Sequence, residues 1–297
     1  MGCSLIQRLI MDEIREKYDY EPFADTEEYR EVNEACIHGW IEIMRRKGVS
    51  GVEAILDIAT GAGTMVQIVF DQLPESWKKA AVMCLDQSAE ALRLAQSKLE
   101  RTVERLKMVH SSVEDMDIPD ASIDVAVWGN GIHYLSEDEQ LDSVKRIKKA
   151  LKPGGLFFFN TAFYEEARPA ETLPFYRTQV KNAVQYLKNR GISRQKDDSR
   201  TEASKFLPRS YYEQLVKEAG FKLVEVKEYA VDMRREAWEY ISSFQQYAAG
   251  ALRGYPVDAA VQAMKEAVQP ALEQHGHRDA EGNLYITRKW LAVSTEA

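Results

Sequence analysis

The chain has 297 residues, of which 45% are hydrophobic, and its 39 Lys and Arg residues face 47 Asp and Glu residues, giving a formal net charge of −8. This length can bury a full core, and the acidic balance disfavours nucleic acid, which binds to basic surfaces. The three cysteines lack metal-ligand spacing and are expected to be reduced thiols. No apolar run approaches membrane length, so we expect a cytoplasmic protein without a membrane span.

The first 47 residues predict helices on either side of an aromatic segment that Pro22 interrupts. The aromatic side chains of this segment allow two interpretations. They either form a lid over a bound cation, since aromatic faces attract cations, or pack the N-terminal helices against the core. The residues concerned are Tyr18, Tyr20, Phe23 and Tyr29.

A buried strand starting at Ile55 breaks into a glycine turn at Gly61 and Gly63. Both glycines allow positive φ and let a ligand approach the backbone, and the amides at the start of the next helix face such a ligand. A second strand ends in Asp86, near the spacing of about 20 residues at which an acidic residue takes ribose hydroxyls. The pattern indicates a nucleoside-bearing cofactor, although a purely structural turn would also need glycines.

Two common nucleotide motifs are absent from this turn. Val66 stands where a dinucleotide fingerprint has its third small residue, which argues against NAD or FAD. No glycine-rich loop ending in Gly-Lys-Ser or Gly-Lys-Thr occurs, which excludes a P-loop. A nucleoside without a pyrophosphate therefore remains.

Strands and helices alternate along the rest of the chain. Five further strands are predicted at 106–110, 122–128, 156–161, 222–231 and 285–293. The fully apolar strand at 156–161 is typical of a sheet covered on both faces. We predict a doubly wound α/β fold with a seven-stranded, mostly parallel, Rossmann-like sheet and a helical cap.

Three helical pieces fall outside the alternating pattern. All attach at the N-terminal entry or near the carboxyl ends of strands, where open α/β sheets bind ligands. We expect them to enclose an apolar pocket over the cofactor, or to form an oligomer interface, or both. The predicted domains are an N-terminal lid at 1–47, a cofactor-binding core at 48–164, helical insertions at 165–205 and 234–276, and the remaining core at 206–233 and 277–297.

Four motifs in this order and spacing resemble the class I S-adenosylmethionine (SAM)-dependent methyltransferases. The motifs stand at 56–63, 85–88, 113–119 and 151–155. The chain is most similar to the small-molecule enzymes of the ubiquinone, menaquinone and natural-product type. It departs from the family at Ala59, where glycine is usual, and at Ser112, where an aspartate usually reads adenine. The resemblance implies SAM as cofactor, with S-adenosylhomocysteine as product, bound by Asp57, Ala59, Gly61, Gly63, Asp86, Gln87, Val113, Glu114 and Gly129.

The resemblance implies methyl transfer to an oxygen, nitrogen or carbon atom of a small organic acceptor, in secondary or cofactor metabolism. The alternative is a SAM-binding protein of the same fold that does not methylate. A protein or nucleic-acid methyltransferase is disfavoured because no Asn-Pro-Pro-Tyr-type motif follows the fourth strand.

Candidate residues for chemistry follow the fourth strand. His133 is predicted to act as a base, because imidazole titrates in the useful range; the alternative is a histidine hydrogen-bonded within its loop. Asn130 and Tyr134, with Tyr18 and Tyr20, are predicted to bind the acceptor. We expect no metal site, because the histidines at 275 and 277 lack nearby acidic or cysteine partners.

Overall fold

The computed structural model describes residues 21–195 and 205–297, in which strands and helices alternate through the first half. The strands are β1 Ala54–Ile58, β2 Ala81–Asp86, β3 Arg105–His110, β4 Ile123–Gly129, β5 Leu151–Thr161, β6 Lys222–Arg234, β7 His277–Arg278 and β8 Leu284–Glu296. The helices are α1 Glu21–Ala24, α2 Glu27–Arg46, α3 Thr64–Gln72, α4 Ala89–Leu99, α5 Glu137–Ala150, α6 Leu173–Asn189, α7 Arg209–Glu218, α8 Arg235–Ser243, α9 Gln245–Ala251, α10 Val257–Glu266 and α11 Val268–His275.

The strands form one sheet in the order β3-β2-β1-β4-β5-β8-β6, with β7 paired to β8. The pairs from β3 to β5 are parallel, and β8 runs antiparallel to both β5 and β6. This order confirms the predicted doubly wound, mostly parallel sheet. Because the strand order reverses between the neighbouring parallel strands β1 and β4, the carboxyl ends of these strands leave a crevice for a ligand.

The predicted number of seven strands was wrong, because the described residues contain eight. The additional strand is β7, which pairs with the start of β8. The Asp279 carboxylate accepts hydrogen bonds from the amides of Glu281 and Asn283, at 3.1 and 2.8 Å, and so closes a tight hairpin. What reads as a polar loop in the sequence is therefore an extension of the sheet.

Apolar layers cover both faces of the sheet. Trp40 of α2 stacks on Phe158 of β5 with ring centroids 5.3 Å apart, in the layer that α3 and α4 complete. Phe157 and Phe159 point to the opposite face, where they pack with α5 and α7. The alternation along β5 explains why its positions 156–159 are all apolar.

The helix α2 covers the sheet, in contrast to the lid expected for residues 1–47. A Cβ atom added at Gly39 would lie 2.4 Å from the phenolic oxygen of Tyr229, so α2 crosses β6 at very close range. The buried side of α2, which includes Trp40 and Met44, meets the sheet rather than a ligand. Its first turns, with Tyr29 and Asn33, reach the carboxyl edge of the sheet.

The helices that follow β5 and β6 pack on each other. Phe175 of α6, Trp238 of α8 and Leu272 of α11 share one buried cluster. Ala183 of α6 lies in another with Met264 of α10 and with residues of α9. The two insertions thus form a single helical layer, which attaches where β5 and β6 end. The domain boundaries drawn from the sequence remain a prediction.

Candidate active site

A cavity of about 580 Å³ opens at the carboxyl ends of β1, β2 and β4; we call it the cofactor cavity. Its walls are the turns after these strands, the segment after β3, and the start of the N-terminal helices. The structure brings together eight of the predicted site residues in this lining. They are Ala59, Asp86, Gln87, Val113, Glu114, Gly129, Asn130 and Tyr134. The predicted acceptor residues Tyr18 and Tyr20 lie outside the described residues.

The turn after β1 has left-handed backbone at Ala59, Gly61 and Gly63, with φ of 53°, 56° and 86°. Neither glycine lines the cofactor cavity. The Gly61 amide donates a hydrogen bond to Oδ2 of Asp86 at 2.8 Å, so this turn orients the carboxylate. The left-handed φ of Gly63, and a Cβ atom that would lie 2.9 Å from Cδ1 of Leu99 in α4, both favour glycine here, and the close approach of a ligand to its backbone stays a prediction.

Asp86 ends β2 with only 9% of its surface exposed. Oδ1 accepts the amide of Ser88 at 2.8 Å, while Oδ2 accepts that of Gly61. Burial raises the pKa of Asp86, and the hydrogen bonds from the Ser88 and Gly61 amides oppose this rise because they favour the carboxylate. Each oxygen keeps lone pairs for further donors, such as the two hydroxyls of a ribose.

Asp57 lies beneath the turn rather than in the cavity lining, with 2% of its surface exposed. The hydroxyl of Thr60 donates to its Oδ2 at 2.5 Å. Burial raises the pKa of Asp57 to about 7, and the negative charge of Asp86 adds to the rise. Asp57 therefore supports the turn from below.

The remaining lining fits the base of a nucleoside. Val113 and Trp128, 8% and 1% exposed, provide apolar surface in this lining. Ser112 accepts the Asp115 amide and donates to the Asp115 carboxylate, at 3.2 and 3.1 Å, and so caps the segment that carries Val113 and Glu114. A carboxylate placed for a diol, beside apolar walls placed for a flat base, fits the nucleoside part of SAM.

His133 is buried, with 3% exposure, and does not line the cofactor cavity. Its Nδ1 shares a 2.9 Å hydrogen bond with the hydroxyl of Thr161, and its ring stacks on Phe163 with centroids 4.1 Å apart. Burial lowers the pKa of His133 well below its usual value, and the positive charge of Arg288 lowers it further. This position supports the neighbouring aromatic side chains, whereas a base needs contact with the acceptor.

Asn130 belongs to a buried amide network that sequence reasoning missed. Its backbone has a φ of 48°, and its Oδ1 accepts the Ala162 amide at 2.8 Å. The Asn160 side chain accepts the Asn130 amide at 2.9 Å and donates to Asn33 at 2.7 Å. The network ties the ends of β4 and β5 to α2, so that Asn130 fixes the shape of the cavity it lines.

A second cavity of about 230 Å³ adjoins the first; we call it the acceptor cavity. The two cavities share Tyr134, Phe244 and Gln246. The acceptor cavity lies between the sheet edge and the helical layer, and sequence reasoning missed it. Its lining also includes Phe163, Arg168, Tyr176, Gln179, Val180, Phe206, Tyr247, Gly250, Ala251, Met264 and Arg288.

One signal for this cavity was present in the sequence of β8. Ile286 and Trp290 alternate on the inward side of the strand, and Arg288 stands between them on the same side. All three are buried, with Arg288 3% exposed. An arginine at an inward position of an apolar strand indicates a polar site in the interior.

The described ranges contain neither a candidate metal cluster nor a candidate membrane-spanning helix. No group of three or more His, Cys, Asp or Glu side chains there is arranged to hold a metal ion. Nor does any helix of those ranges combine the length and apolarity needed to span a bilayer.

Comparisons with known proteins agree with this geometry. Residues 55–155 match the family described as Methyltransferase domain. A malonyl-[acyl-carrier protein] O-methyltransferase of Priestia megaterium is 28% identical over 138 residues, or 45% of each chain. The enzyme of that name from Geobacter sulfurreducens is 25% identical over 228 residues, or 76% of this chain and 77% of the relative.

Two solved structures share the fold. The BH2331 protein of Bacillus halodurans has a TM-score of 0.53 at 15% identity, covering 86% of this chain and 97% of its own. The YcgJ protein of Bacillus subtilis has a TM-score of 0.53 at 14% identity, covering 87% and 98%. The matching domain at 55–155 and the methyltransferase relatives, on a fold that these structures share, support a class I SAM-dependent methyltransferase.

Proposed function

We propose that this protein binds SAM in the cofactor cavity and directs its methyl group to a small organic acceptor in the acceptor cavity. The observation that supports this proposal most is the wall that the two cavities share: Tyr134, Phe244 and Gln246 line both of them. A cofactor in one cavity and an acceptor in the other would therefore lie next to each other beside these three side chains. Two adjoining compartments of unequal size match a reaction between a nucleoside cofactor and a smaller molecule.

The chain's own residues have distinct tasks in this reaction. Asp86 would hold the ribose hydroxyls, and the segment at Val113 and Glu114 would hold the adenine. When bound, SAM supplies a methyl group on a positively charged sulfur, which needs no proton on leaving. The protein must therefore align the acceptor and exclude water, and the faces of Tyr134 and Phe244 at the shared wall suit a cation.

The acceptor is proposed to react through an oxygen, nitrogen or carbon atom. Both curated relatives are named O-methyltransferases, which supports oxygen. His133 was predicted to act as a base, and its burial and its bond to Thr161 support a positioning role instead. A positioning role suits an acceptor that reaches the site without a proton to lose.

Release of S-adenosylhomocysteine tests the proposal. The protein should release it only when SAM and a suitable small acceptor are both present. Ala251→Phe would fill the acceptor cavity that Ala251 lines, so acceptor-dependent release should fall at least about tenfold while SAM affinity is retained. Val184→Phe, at an exposed position of α6, is the matched control and should leave both quantities unchanged.

Two results would contradict the proposal. Equal activity of Ala251→Phe and Val184→Phe would place the acceptor elsewhere. Tight SAM binding without acceptor-dependent release, across a broad set of small acids, phenols and amines, would favour a SAM-binding protein that does not methylate.

A further inference from the structure

Two arginines in the acceptor cavity have no acidic partner in the part of the chain that the structure describes. Arg288 reaches it from β8, and Arg168 from the segment between β5 and α6. Within residues 21–195 and 205–297, no aspartate or glutamate lines this cavity and neither arginine forms an ion pair. Arg288 is buried and Arg168 is half-buried, and because most buried arginines are paired, this arrangement requires a reason.

Arg288 is held in place by the protein while part of its guanidinium stays available. Its Nη2 donates to the backbone carbonyl of Ala162 at 2.7 Å, and its Cζ lies 5.0 Å from the ring centroid of Phe163. Its buried Nε has no hydrogen-bond partner among the described residues. A buried donor without a partner is costly, and a ligand oxygen would remove that cost.

Arg168 shows the same combination. Its Cζ lies 4.0 Å from the ring centroid of Phe206 and 5.5 Å from that of Tyr176, and its buried Nε also lacks a partner in the described part of the chain. Burial and the positive charge of Arg288 both lower the pKa of Arg168. The two like charges therefore line the same cavity.

The other polar groups of the cavity do not supply a negative charge. Burial raises the pKa of Tyr247 to about 12 and also raises that of Tyr176, although the positive charge of Arg288 opposes both rises. The two phenols therefore remain neutral at physiological pH and can donate hydrogen bonds. The rest of the lining is mostly apolar and aromatic.

We propose that the acceptor cavity binds an organic carboxylate, with its oxygens between Arg168 and Arg288 and its apolar body against the aromatic walls. A planar carboxylate matches the fork of donors on a guanidinium, and its single negative charge, shared between the two arginines, reduces their mutual repulsion. The volume of about 230 Å³ limits the ligand to a small acid. Its assignment as the methyl acceptor rests on the proposed function, whereas its binding does not.

Binding can be measured without SAM and without turnover. The full-length protein is titrated calorimetrically with benzoate, phenylacetate and hexanoate, and with the matching neutral amides. At least one acid should bind, and its amide should bind at least about tenfold more weakly. Arg168→Met and Arg288→Met should each weaken the acid about 10- to 100-fold, whereas Arg177→Met, at an exposed site, should not.

Folding of the variants is checked in the same samples. Arg168→Met removes one of two repelling charges, so the free protein should melt no lower than the wild type. Arg288→Lys keeps the positive charge but loses the paired donors of the planar guanidinium. This variant should therefore bind the acid with intermediate affinity.

The proposal is overturned if none of the acids binds, if amides bind as well as acids, or if acid binding survives both Arg→Met changes. Preference for inorganic phosphate over every carboxylate would also overturn it. If acids bind through the arginines but yield no S-adenosylhomocysteine with SAM, the proposed methyl transfer to them fails while the carboxylate site stands. If only neutral acceptors yield S-adenosylhomocysteine, the proposed methyl transfer stands while the carboxylate is not the methyl acceptor.

Discussion

Asp86 has both carboxylate oxygens fixed by backbone amides before any ligand binds. Gly61 and Ser88 donate these hydrogen bonds, and the left-handed turn places the Gly61 amide. A side chain that is already ordered loses little conformational entropy on binding a diol. At the scale of single residues, this preorganised carboxylate is the feature most specific for a ribose.

Asp86→Ala should weaken SAM binding by roughly 1.5–3 kcal/mol, the range for hydrogen bonds to a charged group. Calorimetric titration measures the change. Asp71→Ala, on the exposed side of α3, is the control and should bind SAM as the wild type does. An Asp86→Ala variant with wild-type affinity would remove Asp86 from the cofactor site.

Asp57 should make the fold less stable as the pH rises. Its pKa is raised to about 7 in the folded protein, against 3.8 as the ordinary value, so the folded state holds a proton that the unfolded state has lost between these pH values. Stability is therefore lost as pH rises from about 4 to 7, by about 4 kcal/mol for this group. Asp57→Asn should remove that loss, which denaturant unfolding of both proteins at pH 5 and pH 8 would measure. Parallel pH dependence in the two proteins would show that Asp57 is not protonated in the fold.

His133 should act through position. Because its folded pKa is lowered, its contribution to stability is complete above the ordinary value near 6.5 and is lost as pH falls below it. His133→Gln should therefore reduce the acid sensitivity of unfolding and leave the shape of the kcat–pH profile between pH 6 and 8 unchanged. If His133 were a general base, His133→Gln would instead lower kcat about 10²–10⁴-fold, and the ionisation of His133 would disappear from the kcat–pH profile.

At the scale of elements, features built from one continuous segment could be predicted from the sequence, whereas features built from distant segments could not. The first strand, its turn and the second strand stand in one segment, so Asp86 could be placed from spacing alone. The helical pattern around Trp40 indicated a buried face without showing which surface it meets, and α2 covers the sheet. The acceptor cavity joins residues as far apart as Tyr134 and Arg288, and no local pattern links them.

The crossing of α2 over β6 can be tested with a double-mutant cycle. In the wild type, the phenolic oxygen of Tyr229 occupies the space that a Cβ atom at Gly39 would need, so Gly39→Ala should bring no gain in stability. In a Tyr229→Phe background that oxygen is absent. The same change should then stabilise the protein by up to about 1 kcal/mol through helix propensity. Equal effects of Gly39→Ala in both backgrounds, measured by denaturant unfolding, would mean that α2 does not cross β6 at this point.

At the scale of the whole molecule, a doubly wound sheet carries the cofactor cavity at its carboxyl edge, and the helical layer adds the acceptor cavity beside it. The sheet could be predicted because its strands follow the family order. The position of the helical layer could not, because its helices pack mainly on each other, in clusters that include α6, α8 and α10. The proposed reaction depends on both parts, since the shared wall exists only where they meet.

The most direct test of methyl transfer is to follow an isotopically labelled methyl group. The protein is incubated with SAM carrying the label and with the small carboxylic acid that binds most tightly, and the products are resolved by mass spectrometry. The label should appear in the acid in a one-to-one ratio with S-adenosylhomocysteine, and Ala251→Phe should suppress both while Val184→Phe does not. Label that stays in SAM, although both ligands are bound, would contradict the account.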